Sequence, residues 1–258
     1  TLFRSPAQQY LNPAFAGTLR VSDISFTYPK EDYPIIQNFS LTLKRGQKAA
    51  LIGPSGAGKS TILQLILGDL KPNQGTVTLD HLNVLKLQRE RSKLFSVLNQ
   101  EPFLFNTTIY ENLKMANPDA TTDQMMEILE KVQLADFVNS LPKKLDTEVA
   151  EAGARFSGGQ KERLALARVL LQDTPIVLLD EPTVGLDPLT EQKLLNLVFE
   201  VLKNKTVVWV THHLQGVKYM NEVLFFKDGK VTMQGNPHDL FKHNEHFHQL
   251  YLMDQGLI

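Results

Sequence analysis

The chain has 258 residues, 42% hydrophobic and 21% charged, enough to bury a sizeable core as one large domain or two lobes. A formal net charge of -1 without a long basic block argues against strong nonspecific attraction to nucleic acid or anionic lipid. Zero cysteines exclude disulfides, cysteine-ligated metal and a thiol nucleophile and fit a reducing compartment, with cytosol the default, and no apolar run reaches the roughly 18 residues that span a bilayer.

Residues 1–17 carry Pro6 and Pro13 with little periodicity and read as a linker entering a domain. The chain begins at Thr1 with no signal-peptide pattern, so further polypeptide is expected before it. Leu19, Val21, Ile24 and Phe26, then Phe39, Leu41 and Leu43, predict antiparallel strands. Residues 48–52 form a short apolar strand, 59–68 a helix, and 75–79 and 94–98 further strands, the last leading to Gln100. From 107 to about 171 the spacing turns helical, through Ile109, Leu113 and Met115, Met125, Ile128, Leu129 and Val132, and Leu164, Ala167 and Leu171. Strand and helix then alternate through 176–180, 189–202, 206–210 and 222–233, the pattern of a mainly parallel sheet covered on both faces. Met125 and Met126 read as core or docking-surface packing. His238, His243, His246 and His248 read as a solvated helical end, because no carboxylate or cysteine pattern accompanies them.

Between the strand at 48–52 and the helix from 59 lies Gly53-Pro54-Ser55-Gly56-Ala57-Gly58-Lys59-Ser60-Thr61, which fits GxxxxGK[ST]. The glycines allow the backbone to wrap N–H groups around phosphates, Lys59 supplies charge at the terminal phosphates, and the Ser60 hydroxyl is the expected Mg²⁺ ligand. A bare glycine-rich turn is the competing reading, but the strand before and the helix after favour the phosphate loop. Asp180 closes the apolar strand 176–180 and completes the metal side, with Glu181 beside it. Ser157 is a good N-cap for the helix entered at Phe156-Ser157-Gly158-Gly159-Gln160, so free N–H groups and a positive dipole end are expected there, where an anion belongs.

With these three strings in place, the chain resembles the nucleotide-binding domain of ATP-binding-cassette (ABC) transporters over residues 18–243. The resemblance implies an α/β P-loop NTPase fold, a RecA-like mainly parallel sheet with helices on both faces, plus an antiparallel β subdomain and an α-helical insertion at about 107–171. Residues 1–17 would then be a linker from a membrane domain and 244–258 a C-terminal helical tail. It implies ATP and Mg²⁺ as cofactors, with Ser60, Gln100 and Asp180 on the metal. Residues 156–160 match the family signature element, implying that Ser157, Gly158, Gly159 and Gln160 act on the γ-phosphate bound by a second ATPase domain, in place of an arginine finger.

Position by position, Tyr28 resembles the aromatic residue that stacks on adenine, against the plainer reading of a strand-end core tyrosine. Gln100 resembles the loop glutamine at the metal and attacking water, Asp187 the dimer-contact loop, and His212 the switch histidine after the last core strand. His213 stands where many relatives carry arginine or aspartate and receives no role. The implied mechanism is ATP-driven dimer closure, then hydrolysis with Glu181 polarising water and His212 and Lys59 steadying the γ-phosphate.

Residues 107–113 and 147–153 resemble exporter segments that meet the coupling helices of a membrane domain, with Ala150 a departure from the usual glycine. Glu181-Pro-Thr-Val-Gly-Leu-Asp187 and Val210-Thr-His-His-Leu214 are similar to the CydC or CydD half of thiol exporters, implying glutathione or cysteine as cargo; lipid, peptide and drug exporters stay open. The expected partners are the membrane-spanning domain or subunit of the same transporter and a second ABC ATPase domain, identical or different, with no nucleic acid, at the cytoplasmic face of the cell membrane. The competing class is a soluble ABC ATPase acting on ribosomes or DNA, disfavoured because the chain holds a single cassette without a long coiled-coil insertion. A nonhydrolysing switch would lack the carboxylate that Glu181 provides.

Overall fold

The computed structural model describes residues 17–87, 90–149, 156–182 and 188–254. It divides into two compact units, one built from the residues up to 95, 174–178 and those from 204 onward, the other from 96–173 and 179–203.

In the first unit, β1 (Leu19–Phe26), β2 (Ile36–Leu43), β4 (Gln74–Leu79) and β5 (Leu82–Asn83) form an antiparallel sheet in the order β2-β1-β4-β5. The apolar spacing of β1 explains its shape. Leu19 and Val21 are two apart, Ile24 comes a residue late, and all three are buried. A strict pleat would send Ile24 to solvent; instead the register with β2 shifts between Val21 and Ile24, and Asp23 takes a left-handed φ of 47° to absorb the extra residue.

The second sheet has the order β10-β9-β3-β8-β7-β6, with β3 (Lys48–Ile52), β6 (Phe95–Leu98), β7 (Ile176–Asp180), β8 (Thr206–Thr211), β9 (Glu222–Lys227) and β10 (Lys230–Gly235). β3 runs parallel to both β8 and β9, and every residue of β3, β7 and β8 is buried, as expected for strands with no solvent face. The 222–233 stretch is not one extended element. It is an antiparallel hairpin, β9-β10, turning at Asp228 and Gly229 with φ of 50° and 74°, the two positive values that let a tight turn follow strand twist. α1 (Lys59–Leu67) packs against β8 and ends at Gly68 in the left-handed region. The short helix α2 (Arg91–Leu94) leads into β6. After β10 come α8 (Pro237–His243) and α9 (Glu245–Asp254), packed on each other.

The second unit is largely helical: α3 (Ile109–Ala116), α4 (Thr122–Lys131), α5 (Ala135–Ser140), α6 (Gly158–Leu171) and α7 (Pro188–Val201). α6 is the hub, in contact with α3 and α4, and α7 packs on α4. Met125 is fully buried in this core. Among the described residues no helix is long and apolar enough to cross a membrane.

Candidate functional site

The phosphate loop leaves β3 and opens α1 within the first unit, and its glycines are required by what surrounds them. A Cβ on Gly53 would lie 2.1 Å from the Phe226 carbonyl oxygen. One on Gly58 would lie 2.6 Å from Ile36 Cδ1 and 2.9 Å from the Ile35 oxygen, with φ already at 97°. Gly58 is the N-cap of α1 and supplies no side chain to it, so the first-turn amides are not occupied by a capping group. Lys59 is only 5% exposed, and its Nζ donates to the carbonyls of Gly53 at 2.7 Å and Pro54 at 2.9 Å. The ammonium is thereby held over the centre of its own loop. Neutral carbonyls are weaker acceptors for it than phosphate oxygens, which form charge-assisted bonds.

β3 and β8 pair in parallel with Ile52 opposite Thr211, so Gly53 and His212 leave the carboxyl ends of neighbouring strands. Open α/β sheets bind ligands at that edge. His212 is exposed, and its ring centroid lies 4.0 Å from that of His213. Tyr28 is no core residue: its ring meets Phe26 edge-on at 4.9 Å, and its hydroxyl is 3.0 Å from Thr61 Oγ1 and 3.4 Å from Gln64 Oε1, which tie it to the first turns of α1. These partners are 33 and 36 residues away in sequence, so no local pattern points to them.

In the second unit, buried Asp180 ends β7 and Glu181 follows with a φ of 51°. A glutamate in the left-handed region is uncommon, and such backbone strain concentrates at functional sites. The turn redirects Glu181 out of the strand, and Gln100 Nε2 donates to its Oε2 at 3.5 Å. The two residues are 81 apart in sequence.

α6 begins with a complete capping box: Ser157 Oγ accepts from the Gln160 amide at 3.3 Å, and Gln160 Oε1 accepts from the Ser157 amide at 2.9 Å. Ser157 is the N-cap, as the sequence predicts. The cap takes two donors and leaves the first-turn amides of Gly158 and Gly159, where an added Cβ would meet nothing within 4 Å. Gln160 closes the cap through its side-chain oxygen. Behind the tip, burial pushes the Glu162 carboxyl up, partly opposed by Arg163.

The two segments matched to coupling contacts come together. Ile109 donates to the Thr147 carbonyl at 3.0 Å, Val149 to that of Thr107 at 2.9 Å, and Thr108 bridges Glu148. Buried Asn112 holds the preceding loop, accepting from the Phe105 amide at 3.0 Å and donating to the Phe105 carbonyl at 2.9 Å and the Thr108 carbonyl at 3.0 Å. That loop presents Phe103, 71% exposed, packed edge-on with Phe105. Arg168 donates to the Phe103 carbonyl at 2.8 Å and sits 5.2 Å from the Phe105 ring centre; burial holds its guanidinium below the usual arginine range. Asp187, Ala150 and the rest of 150–153 lie outside the described residues. Of the four C-terminal histidines, His248 stacks on Phe241 at 4.3 Å and His238 lies 3.7 Å from Asp239 on the surface.

A family model described as ABC transporter matches residues 36–184. The chain is 47% identical over 237 residues to the glutathione/L-cysteine transport system ATP-binding/permease protein CydD of Bacillus subtilis, covering 92% of this chain and 41% of that protein. It is 38% identical to the β-(1→2)glucan export ATP-binding/permease protein NdvA of Nitrobacter winogradskyi, covering 91% and 38%, and 37% identical to the mitochondrial iron–sulfur clusters transporter ATM1 of Kluyveromyces lactis, covering 93% and 34%. The chain therefore spans less than half the length of these relatives. Among solved structures, a bacterial Atm1-family ABC exporter with ATP bound superposes with a TM-score of 0.85 at 29% identity, covering 93% of this chain and 42% of that one.

Proposed function

The chain belongs to the ABC transporter family, whose ATP-binding domains are ATPases coupled to transport, and on that premise we propose that it powers an exporter by ATP-driven pairing with a second such domain. The phosphate loop carries the reading: its glycines adopt a path other residues cannot follow, around a lysine held at the centre. The backbone N–H groups of residues 55–61 and the Lys59 ammonium bind the triphosphate of ATP, and the exposed Tyr28 ring stacks on adenine. Ser60, Gln100 and Asp180 offer hard oxygen donors that fit Mg²⁺, which when bound neutralises charge on the phosphate oxygens. Glu181, turned out of its strand by the left-handed backbone, orients and polarises the attacking water, with Gln100 holding the carboxylate. His212 steadies the γ-phosphate alongside Lys59. Ser157 shapes the signature tip, Gln160 completes its cap, and the Gly158 and Gly159 amides serve the nucleotide of the second domain, with Asp187 at the contact between the two.

We assign residues 1–17 to the linker from a membrane-spanning domain or subunit, 18–243 to the ATPase domain and 244–258 to its tail. The membrane partner docks on the exposed Phe103 and Phe105 loop and the paired segments at Thr108 and Glu148, on the cytoplasmic face of the cell membrane. Thiol export is favoured because CydD shares 47% identity against 38% and 37% for the glucan and iron–sulfur transporters. The test uses the full-length transporter in inside-out vesicles. Glu181→Gln should keep ATP binding while turnover falls at least ~100-fold, the usual scale of a lost general base, and ATP-driven uptake of labelled glutathione or cysteine stops with it. Full turnover by this variant would remove Glu181 from its role, and uptake of neither thiol by the parent would remove thiols as cargo.

A further inference from the structure

His213 has a partner in the last turn of α9. Its Nδ1 lies 3.3 Å from Asp254 Oδ1, while Asp254 Oδ2 accepts from the Leu214 amide at 2.7 Å. One carboxylate therefore grips the two residues that follow His212. A carboxylate at a helix C-terminus is opposed by the helix dipole, and the Leu214 amide and His213 offset that cost. The other end of the loop is fixed as well: Thr211 Oγ1 accepts from the His213 amide at 3.0 Å, and Thr211 is locked opposite Ile52 in the parallel ladder. Leu214 is buried and cannot drift. The helix that carries Asp254 has a firm seat, because Phe247 is buried and meets Phe225 edge-on at 5.8 Å, and Phe225 pairs with Ile52, the residue before the phosphate loop.

We propose that Asp254 is a positioning residue for His212: by clamping His213 and Leu214 from the C-terminal helix, it holds the His213 ring as the wall against which His212 rests. The proposal rests on the role given to His212 above. Its physical content is that each pinned neighbour removes conformational freedom from the strand exit that carries His212 before ATP arrives. Asp254 acts through the loop, by its contacts with His213 and Leu214.

The experiment uses the full-length transporter in membranes, with ATPase kcat, KM for ATP and thermal unfolding measured for Asp254→Ala, Asp254→Asn, His213→Gln and His212→Ala. Asp254→Ala should lower kcat on the order of tenfold, the scale expected of a small misplacement of a catalytic group, with KM and Tm close to the parent. His213→Gln should lower kcat in the same sense. Asp254→Asn, whose amide oxygen still accepts from Leu214, should recover most of the rate. Parental kcat in Asp254→Ala beside an inactive His212→Ala overturns the clamp alone. A raised KM and lowered Tm without rescue by Asp254→Asn also overturns it, since that marks a purely structural contact. Parental turnover by His212→Ala overturns the role of His212 itself.

Discussion

Two helices in this molecule begin at sites read as phosphate-binding, and they are built in opposite ways. α1 starts from Gly58, which contributes no capping side chain, and its geometry is imposed from outside by Ile35 and Ile36 pressing where a Cβ would sit. α6 starts from Ser157, whose geometry is imposed from inside by a capping box with Gln160, and open space surrounds Gly158 and Gly159. A tip hemmed in by the Ile35 carbonyl and the Ile36 side chain has little room to shift. A tip held by two side chains is secured only by hydrogen bonds worth roughly 1 kcal/mol each, and its open side is free to receive a partner.

That contrast ranks the expected effects of substitution. Gly58→Ala should be the most severe, because a left-handed backbone costs a non-glycine residue about 1–2 kcal/mol before any clash with Ile35 and Ile36. Nucleotide titration should show ATP affinity lower by tenfold or more, on the order of 1.4 kcal/mol, and unfolding should come at lower temperature. Unchanged affinity would erase the distinction between the tips. Ser157→Ala should cost about 1 kcal/mol of stability, with ATP binding by the variant domain retained and turnover of the paired assembly reduced. An equal loss of binding and turnover would mean the second tip serves its own nucleotide.

Glu162→Gln should have the smallest effect. Burial raises the folded-state pKa of Glu162 above its unfolded value, so the stability it contributes is present at low pH and lost as pH rises through the folded pKa. The variant should therefore unfold at slightly higher temperature than the parent at pH 7 and at the same temperature near pH 3, a difference readable in paired melting curves. The reverse order would mean that the dipole of α6 outweighs burial at that carboxylate.

Much of the site was legible in the sequence because it is local. Residues 53–61 specify a backbone path through glycine and a charge through Lys59, and Ser157 with Gln160 specify a cap across three residues, so each could be read in one short window. The strands of the second sheet were legible as apolar runs, and Leu19, Val21, Ile24 and Phe26 were legible as a strand. The bulge at Asp23 and the hairpin turn at Asp228 and Gly229 were not, since a register shift becomes visible only against the neighbouring strand.

What the sequence determined by itself was therefore the class of machine: steric allowance, periodicity and capping are properties of neighbours along the chain. Tertiary structure alone decided which distant groups meet. It set Gln100 beside Glu181 across 81 residues, tied Tyr28 to Thr61, and closed Asp254 on His213 and Leu214 across about forty. It also put Glu181 into a left-handed turn that a glutamate seldom adopts on propensity. The physical reason is that such pairings repay their ordering entropy only once the sheets and helices between them are packed, so no short window of sequence carries their energy.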